Sequence, residues 1–244
     1  MRETETPAAV QVRTSSLFLE GLAVLLGVLA AFGVDALWQM RSERVRERAF
    51  LTALQEEVAS NRERCQDYIE YLQGDAAEAA ELYRSVVLAT EPVGEERVLE
   101  LLLTTGPAQV FLEQAALLDL VGSGGLQLVR SAPVRRGVAS YERRLRDAQH
   151  SQEKLDRFWS EELTAYGRVH GSLPAVFSRL DGLFGEGLFR AEDFPLDEEA
   201  FRGNRTYANL YATWFYHRMV TAREYERLAE VMEELGEALG GALG

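Results

Sequence analysis

Residues Leu17 to Trp38, reading LFLEGLAVLLGVLAAFGVDALW, limit what this chain can become more than any other stretch. Between Glu20 and Asp35 there is no charged or strongly polar side chain. A bilayer core about 30 Å thick is crossed by about 20 mostly apolar helical residues, and this run supplies them. A helix on the surface of a soluble domain keeps a polar face. This one is apolar all round, so it reads as a membrane span rather than a soluble core helix. Trp38, Arg41 and Arg44 follow as the aromatic and cationic anchors expected at a membrane interface.

Met1 to Ser16, with Pro7 and no apolar period, predict a short irregular tail. A secretory signal peptide is the alternative, but its apolar core spans about 7–15 residues, and Val34-Asp35-Ala36 is a poor small-residue cleavage site. A retained anchor is expected. Arg2 and Arg13 precede the span, whereas Arg41, Arg44, Arg46 and Arg48 crowd behind it. The positive-inside rule then places the C-terminal domain on the cytoplasmic side of the membrane, with the periplasmic side as the alternative.

Inside the span, Ala23, Gly27 and Ala31 recur every four residues and share one helix face. Small residues at that spacing let two helices approach closely. Asp35 continues the face one turn later, and Glu20 lies near its other end. Intramembrane acids are functional suspects by default, although both of these sit close enough to the ends to reach an interface.

Helical signals continue beyond the span. Leu51, Leu54, Val58, Asn61, Cys65, Tyr68 and Leu72 alternate in steps of three and four, a heptad seam of a and d positions. The spacing predicts a long helix running out of the bilayer and past Gly74 to about Ala89, with a bend at the glycine. Asn61 could set register on such a seam; because the seam is short, a partly solvated position is the expectation. A turn at Glu91–Gly94, a short helix at 95–104 and an amphipathic helix from Ala108 to Val121 come next. The last is expected to bury Val110, Phe111, Ala115, Leu118 and Val121. Gly122-Ser123-Gly124-Gly125 stops it. Ser131 and Pro133 then open a helix reaching about Arg168. His170–Gly203 is rich in glycine and proline, with short helical turns expected at 175–183, and a final helix is expected from Arg205 to Leu239. With no period-2 strand and no repeat of 20–50 residues, the fold is read as all-α. One transmembrane helix at 17–38 continues into a long helix and packs with others as an antiparallel bundle over 39–244.

The formal charge of −13, from 39 acidic and 26 basic residues, argues against nucleic acid as a partner and against a lipid-binding surface that is basic throughout. Cys65 is the only cysteine, which excludes an internal disulfide. His150, His170 and His217 lack metal-ligand spacing, and the glycines at 122, 124 and 125 match neither a dinucleotide fingerprint nor a P-loop. Ser123 has no recognisable nucleophile frame. Thr213-Trp214-Phe215-Tyr216-His217 is aromatic enough for a ligand pocket, but aromatics at helical spacing more often form core. No catalytic, cofactor-binding or metal-binding residue is therefore expected.

Three segments together resemble a widespread bacterial family of uncharacterised single-span membrane proteins, known as a domain of unknown function. They are Glu20-Gly21 through Trp38 and on to Leu54; Leu120–Leu126 leading through Pro133, Val134 and Arg135 to Tyr141; and the long C-terminal helix from Phe201 to Leu239. The chain departs from that family at Val34-Asp35, where polar amides are usual. The resemblance implies a membrane location and a helical domain, and no activity. The combined expectation is a non-enzymatic scaffold or accessory subunit. It would assemble through its span and seam, as a homo-oligomer or within a larger membrane complex. A membrane-anchored sensor with a ligand site near Trp214 is the alternative.

Overall fold

The computed structural model describes residues 11–74, 76–106, 109–172, 176 and 196–244, with side-chain surroundings given from Glu20 onward, Ala76 and Ala77 excepted. Among these residues there is no strand. The helices are α1 (Gln11–Gly74), α2 (Ala76–Val86), α3 (Glu95–Thr104), α4 (Ala115–Gly122), α5 (Ala132–Phe158), α6 (Thr164–His170), α7 (Glu198–Phe201) and α8 (Arg205–Leu243). A single 3₁₀ turn at Gly125–Gln127 follows α4, and a π-turn at Trp159–Leu163 joins α5 to α6.

With 64 residues, α1 is about 95 Å long at 1.5 Å per residue. Its seam residues Leu51, Leu54, Val58, Asn61, Cys65, Tyr68 and Leu72 are all buried. They pack against α8, whose Tyr207, Tyr211, Trp214, Thr221, Tyr225, Leu228, Met232, Leu235 and Leu239 are buried in turn. Pairings fall along α8 as they climb α1. Tyr68 meets Tyr225 edge-on at 4.8 Å, Arg62 pairs with Glu233 at 3.1 Å, and Arg48 donates to the Leu243 carbonyl at 3.4 Å. The two helices therefore run in opposite senses. So do α5 and α8, since Gly137 lies against Leu235 and Thr221 donates to the Ser151 carbonyl.

It follows that α1 and α5 point the same way, with Glu47 beside Arg130 and Asn61 beside Tyr141. Both pairs with α8 are thus antiparallel, while α1 and α5, on either side of it, run the same way. The segment from α2 to α4 returns the chain to the start of α1's buried half before α5 begins. Two glycines permit the packing: a Cβ at Gly137 would stand 2.8 Å from the Leu235 side chain, and one at Gly125 would stand 3.0 Å from the Phe50 ring. Ser131 caps α5 by accepting from the Val134 amide, and the Asn204 side chain caps α8 by accepting from the Thr206 and Tyr207 amides.

Two expectations change. The irregular tail was placed through Ser16, but Gln11–Ser16 already belong to α1; residues 1–10 lie outside the described residues, as do the short turns expected at 175–183 apart from Val176. The helix expected from Ala108 begins only at Ala115. Residues 109–114 form a non-helical strap, and the buried face of α4 carries Leu117 and Leu120. Phe111, Leu118 and Val121 point outward instead, with Phe111 77% exposed. The cause is tertiary: side chains of α1 and α5 take the strap's backbone donors before helix can.

Candidate membrane and packing interface

The two halves of α1 differ in what touches them. From Glu20 to Met40 every residue is exposed, Leu26 at 58% and Trp38 at 73% among them. Over this half an 18-residue window has a mean hydropathy of 2.0 and no buried share. A Cβ added at Gly21, Gly27 or Gly33 would meet nothing within 4 Å. Ala23, Gly27, Ala31 and Asp35 thus present one open face with no neighbour from the chain's own domain. The Asp35 carboxylate accepts from the Gln39 amide one turn on, at 3.1 Å. That contact leans it toward the end of the bare half that carries Trp38, Arg41 and Arg44, all three exposed. Glu20 is also exposed, at the opposite end.

The heptad seam meets a different fate. Leu54, Cys65 and Leu72 have no accessible surface, because α8 and the strap cover them. The seam is consumed within the chain and offers no coiled-coil surface to a second protomer. This corrects the expectation that span and seam would assemble side by side on one partner. Burial also pushes the Cys65 thiol up to about 12 from an ordinary 9.0, so it is an inert core residue rather than a reactive one.

Asn61 was expected to be partly solvated; it is fully buried. Its amide donates to the Glu113 carbonyl at 2.6 Å and to the Tyr141 hydroxyl at 3.0 Å, while its carbonyl accepts from the Glu113 amide at 2.8 Å. One side chain therefore clamps the strap to both α1 and α5. Around it, Arg64 donates to the Phe111 carbonyl and pairs with the Glu113 carboxylate, and Gln152 accepts from the Val110 amide. Glu57, almost fully buried, accepts from the Ala116 and Leu117 amides. A carboxylate at the first turn of α4 satisfies donors that the helix cannot satisfy itself, which fixes where α4 starts.

Arg218 is a further buried polar residue that periodicity did not single out. Only 2% exposed, it donates to the Leu72 carbonyl at 2.8 Å and the Tyr71 carbonyl at 2.6 Å, among the last of α1. Its guanidinium lies between the Tyr71 and Trp214 rings, 5.1 and 5.2 Å from their centroids. A cation at the negative end of a helix, held between aromatic faces, is favourable on both counts. Its position between Trp214 and Thr221 at helical spacing was the available signal. Trp214 itself is core, packed on Tyr211 at 5.4 Å, so the aromatic run at 213–217 does not open a ligand site around that ring. Phe158 and Tyr216 flank His217, whose pKa is lowered by partial burial and then by Lys154.

Asp156 is a carboxyl that burial perturbs. One oxygen accepts from Gln109 at 3.0 Å and the other is buried without a partner, and burial raises its pKa. It stands below the strap near the Tyr68 and Tyr225 hydroxyls, with no nucleophile or base arranged against it. Among the described residues no group of three or more His, Cys, Asp or Glu could hold a metal ion. What the geometry defines is a helical domain carried on one long helix whose other half is bare and apolar. In comparisons with protein-family models, curated proteins and solved structures, nothing matches the chain.

Proposed function

We propose that this chain is a non-enzymatic, single-pass membrane protein, a scaffold or accessory subunit whose helical domain is displayed on the inner face of a bacterial cell membrane. The observation that carries the reading is the bare half of α1: an 18-residue window of mean hydropathy 2.0, none of it buried against the described residues. Exposed apolar patches on soluble monomers rarely exceed a few hundred Å², and a run of 20 residues apolar on every side needs a lipid or protein environment. The same helix enters the domain core without a break, so the anchor and the domain form one lever.

The face at Ala23, Gly27, Ala31 and Asp35 is the part left for assembly, with a second copy or with another subunit's span. Since the seam is occupied, association runs through the bilayer segment. The four arginines at 41, 44, 46 and 48 support the cytoplasmic side. In membranes, a protease added outside sealed spheroplasts is expected to leave the domain intact; digestion of residues 39–244 overturns the sidedness. Release of the chain from membranes by alkaline carbonate overturns the span itself.

A further inference from the structure

The arginines behind the span have company that only folding brings. Glu47 of α1 accepts from the Arg130 amide at 2.6 Å and pairs with its guanidinium at 3.6 Å. The connection from α4 to α5 is thereby held level with the place where α1 leaves the domain. Arg130, Arg135 and Arg136 are all exposed there. Arg135 donates to the Val129 and Arg130 carbonyls at 2.5 and 3.1 Å, which braces this turn. Arg41, Arg44, Arg46 and Arg48 lie on the adjoining stretch of α1, also exposed. α8 closes at the same end through the contact of Arg48 with Leu243, and its last residues, ALGGALG, carry no charged side chain.

Seven arginines thus gather at one end of the domain, opposed on these segments by Glu43 and Glu47 alone, in a chain whose total is −13. Composition argued against a surface that is basic throughout; the fold instead collects these arginines at one end. Distance matches the placement. Glu47 lies nine residues past Trp38, about 13 Å along the helix. The headgroup layer takes up about 5–7 Å of that on each side. The remainder is within the reach of an arginine side chain and inside the Debye length of about 8–10 Å at ordinary salt.

We infer that this end of the domain is a docking face for anionic lipid headgroups, with Arg130, Arg135 and Arg136 extending the arginine cluster that follows the span. The inference rests on the membrane reading above. An arginine near an anionic surface strengthens attachment by about fivefold, so three contribute on the order of a hundredfold. Docking would hold the domain upright on its lever and limit its swing about residues 39–46.

The test uses the full chain carrying Gln127→Cys, an exposed position on the same turn, labelled with a fluorophore while the native thiol stays protected in the core. The protein is placed in nanodiscs of phosphatidylcholine with or without phosphatidylglycerol, each with a headgroup spin-label quencher. Stronger quenching is expected with phosphatidylglycerol, reduced by high salt. In Arg136→Gln, which keeps both the Arg130–Glu47 pair and the bracing Arg135, quenching should fall by about fivefold in docked-to-free ratio while the thermal melt stays unchanged. Equal quenching in both lipids, from chains that co-purify with the discs, overturns the docking face and leaves the span standing. Chains that fail to enter discs of either composition overturn the membrane reading, and the docking face with it.

Discussion

The two halves of α1 share a backbone and differ in what covers them. From Leu51 to Leu72 the apolar residues form a seam, because one side faces α8 and the other faces water. From Leu22 to Leu37 they surround the helix, and the protein covers none of them. A stripe is what a protein partner asks for, and a full cylinder is what lipid asks for. The junction lies at residues 41–50, where arginines and glutamates take over.

The largest test of this contrast is alkaline pH. Burial raises the pKa of Cys65 from 9.0 to about 12 and of Tyr211 from 10.0 to about 12, and it also raises Tyr68, Tyr141, Tyr207 and Tyr225. Groups with folded pKa values above their unfolded ones stabilise fully below the unfolded value and progressively less above it, each by about 1.4 kcal/mol per pH unit. The domain should lose stability steeply between pH 9 and 12, the window set by the Cys65 and Tyr211 values. Circular dichroism at pH 8 and 11 reads this. The bare half of α1 contains none of these groups, so the chain should stay membrane-bound at pH 11 while its domain melts. Loss of both together would erase the distinction.

Trp214→Ala removes a ring at the centre of α8 and is expected to cost about 3–5 kcal/mol of domain stability, read as a denaturant midpoint in detergent. Asn61→Leu leaves the Glu113 amide and carbonyl without their partner in a buried setting. With unsatisfied groups at about 1–3 kcal/mol each, a loss of about 2–6 kcal/mol is expected, with faster hydrogen exchange along residues 109–117. An unchanged exchange pattern would mean that the strap holds by packing alone. Leu26→Arg works on the other half: insertion weakens by about 3 kcal/mol, measured as the glycosylated fraction in a translocation assay, while the domain melts as before. The smallest effect is expected for Gly27→Leu. Among the described residues nothing lies within 4 Å of an added Cβ, so stability stays constant and only crosslinking between spans in membranes falls. Persistent crosslinking would move the assembly surface away from Ala23, Gly27 and Ala31.

Local patterns disclosed a good part of this. The burial of Leu51, Leu54, Val58, Cys65, Tyr68 and Leu72, the Ser131 cap, and the start of α8 at Arg205 were all legible, because period and capping are written in neighbouring residues. The strap was not. Val110, Phe111, Ala115, Leu118 and Val121 have helical spacing, yet Asn61, Glu57 and Gln152 claim the backbone amides of residues 110–117 from helices 42 to 60 positions away. For the same reason Arg218, on the inward face of α8, was passed over as a charge, although two carbonyls of α1 and two rings receive it.

By itself the sequence determined that the chain is helical, where its bare apolar cylinder lies, and which stripe of the following helix is buried. Hydrophobic periodicity acts through residues three and four apart, and no fold is needed to see it. Tertiary structure alone decided that the seam is spent inside the chain, that α1 and α5 run the same way, and that Asn61 is a clamp. It also brought Arg130, Arg135 and Arg136 beside the foot of the span. Each of these depends on a hydrogen bond or charge between residues tens of positions apart, and such partners are chosen by the packed core, which no local pattern encodes.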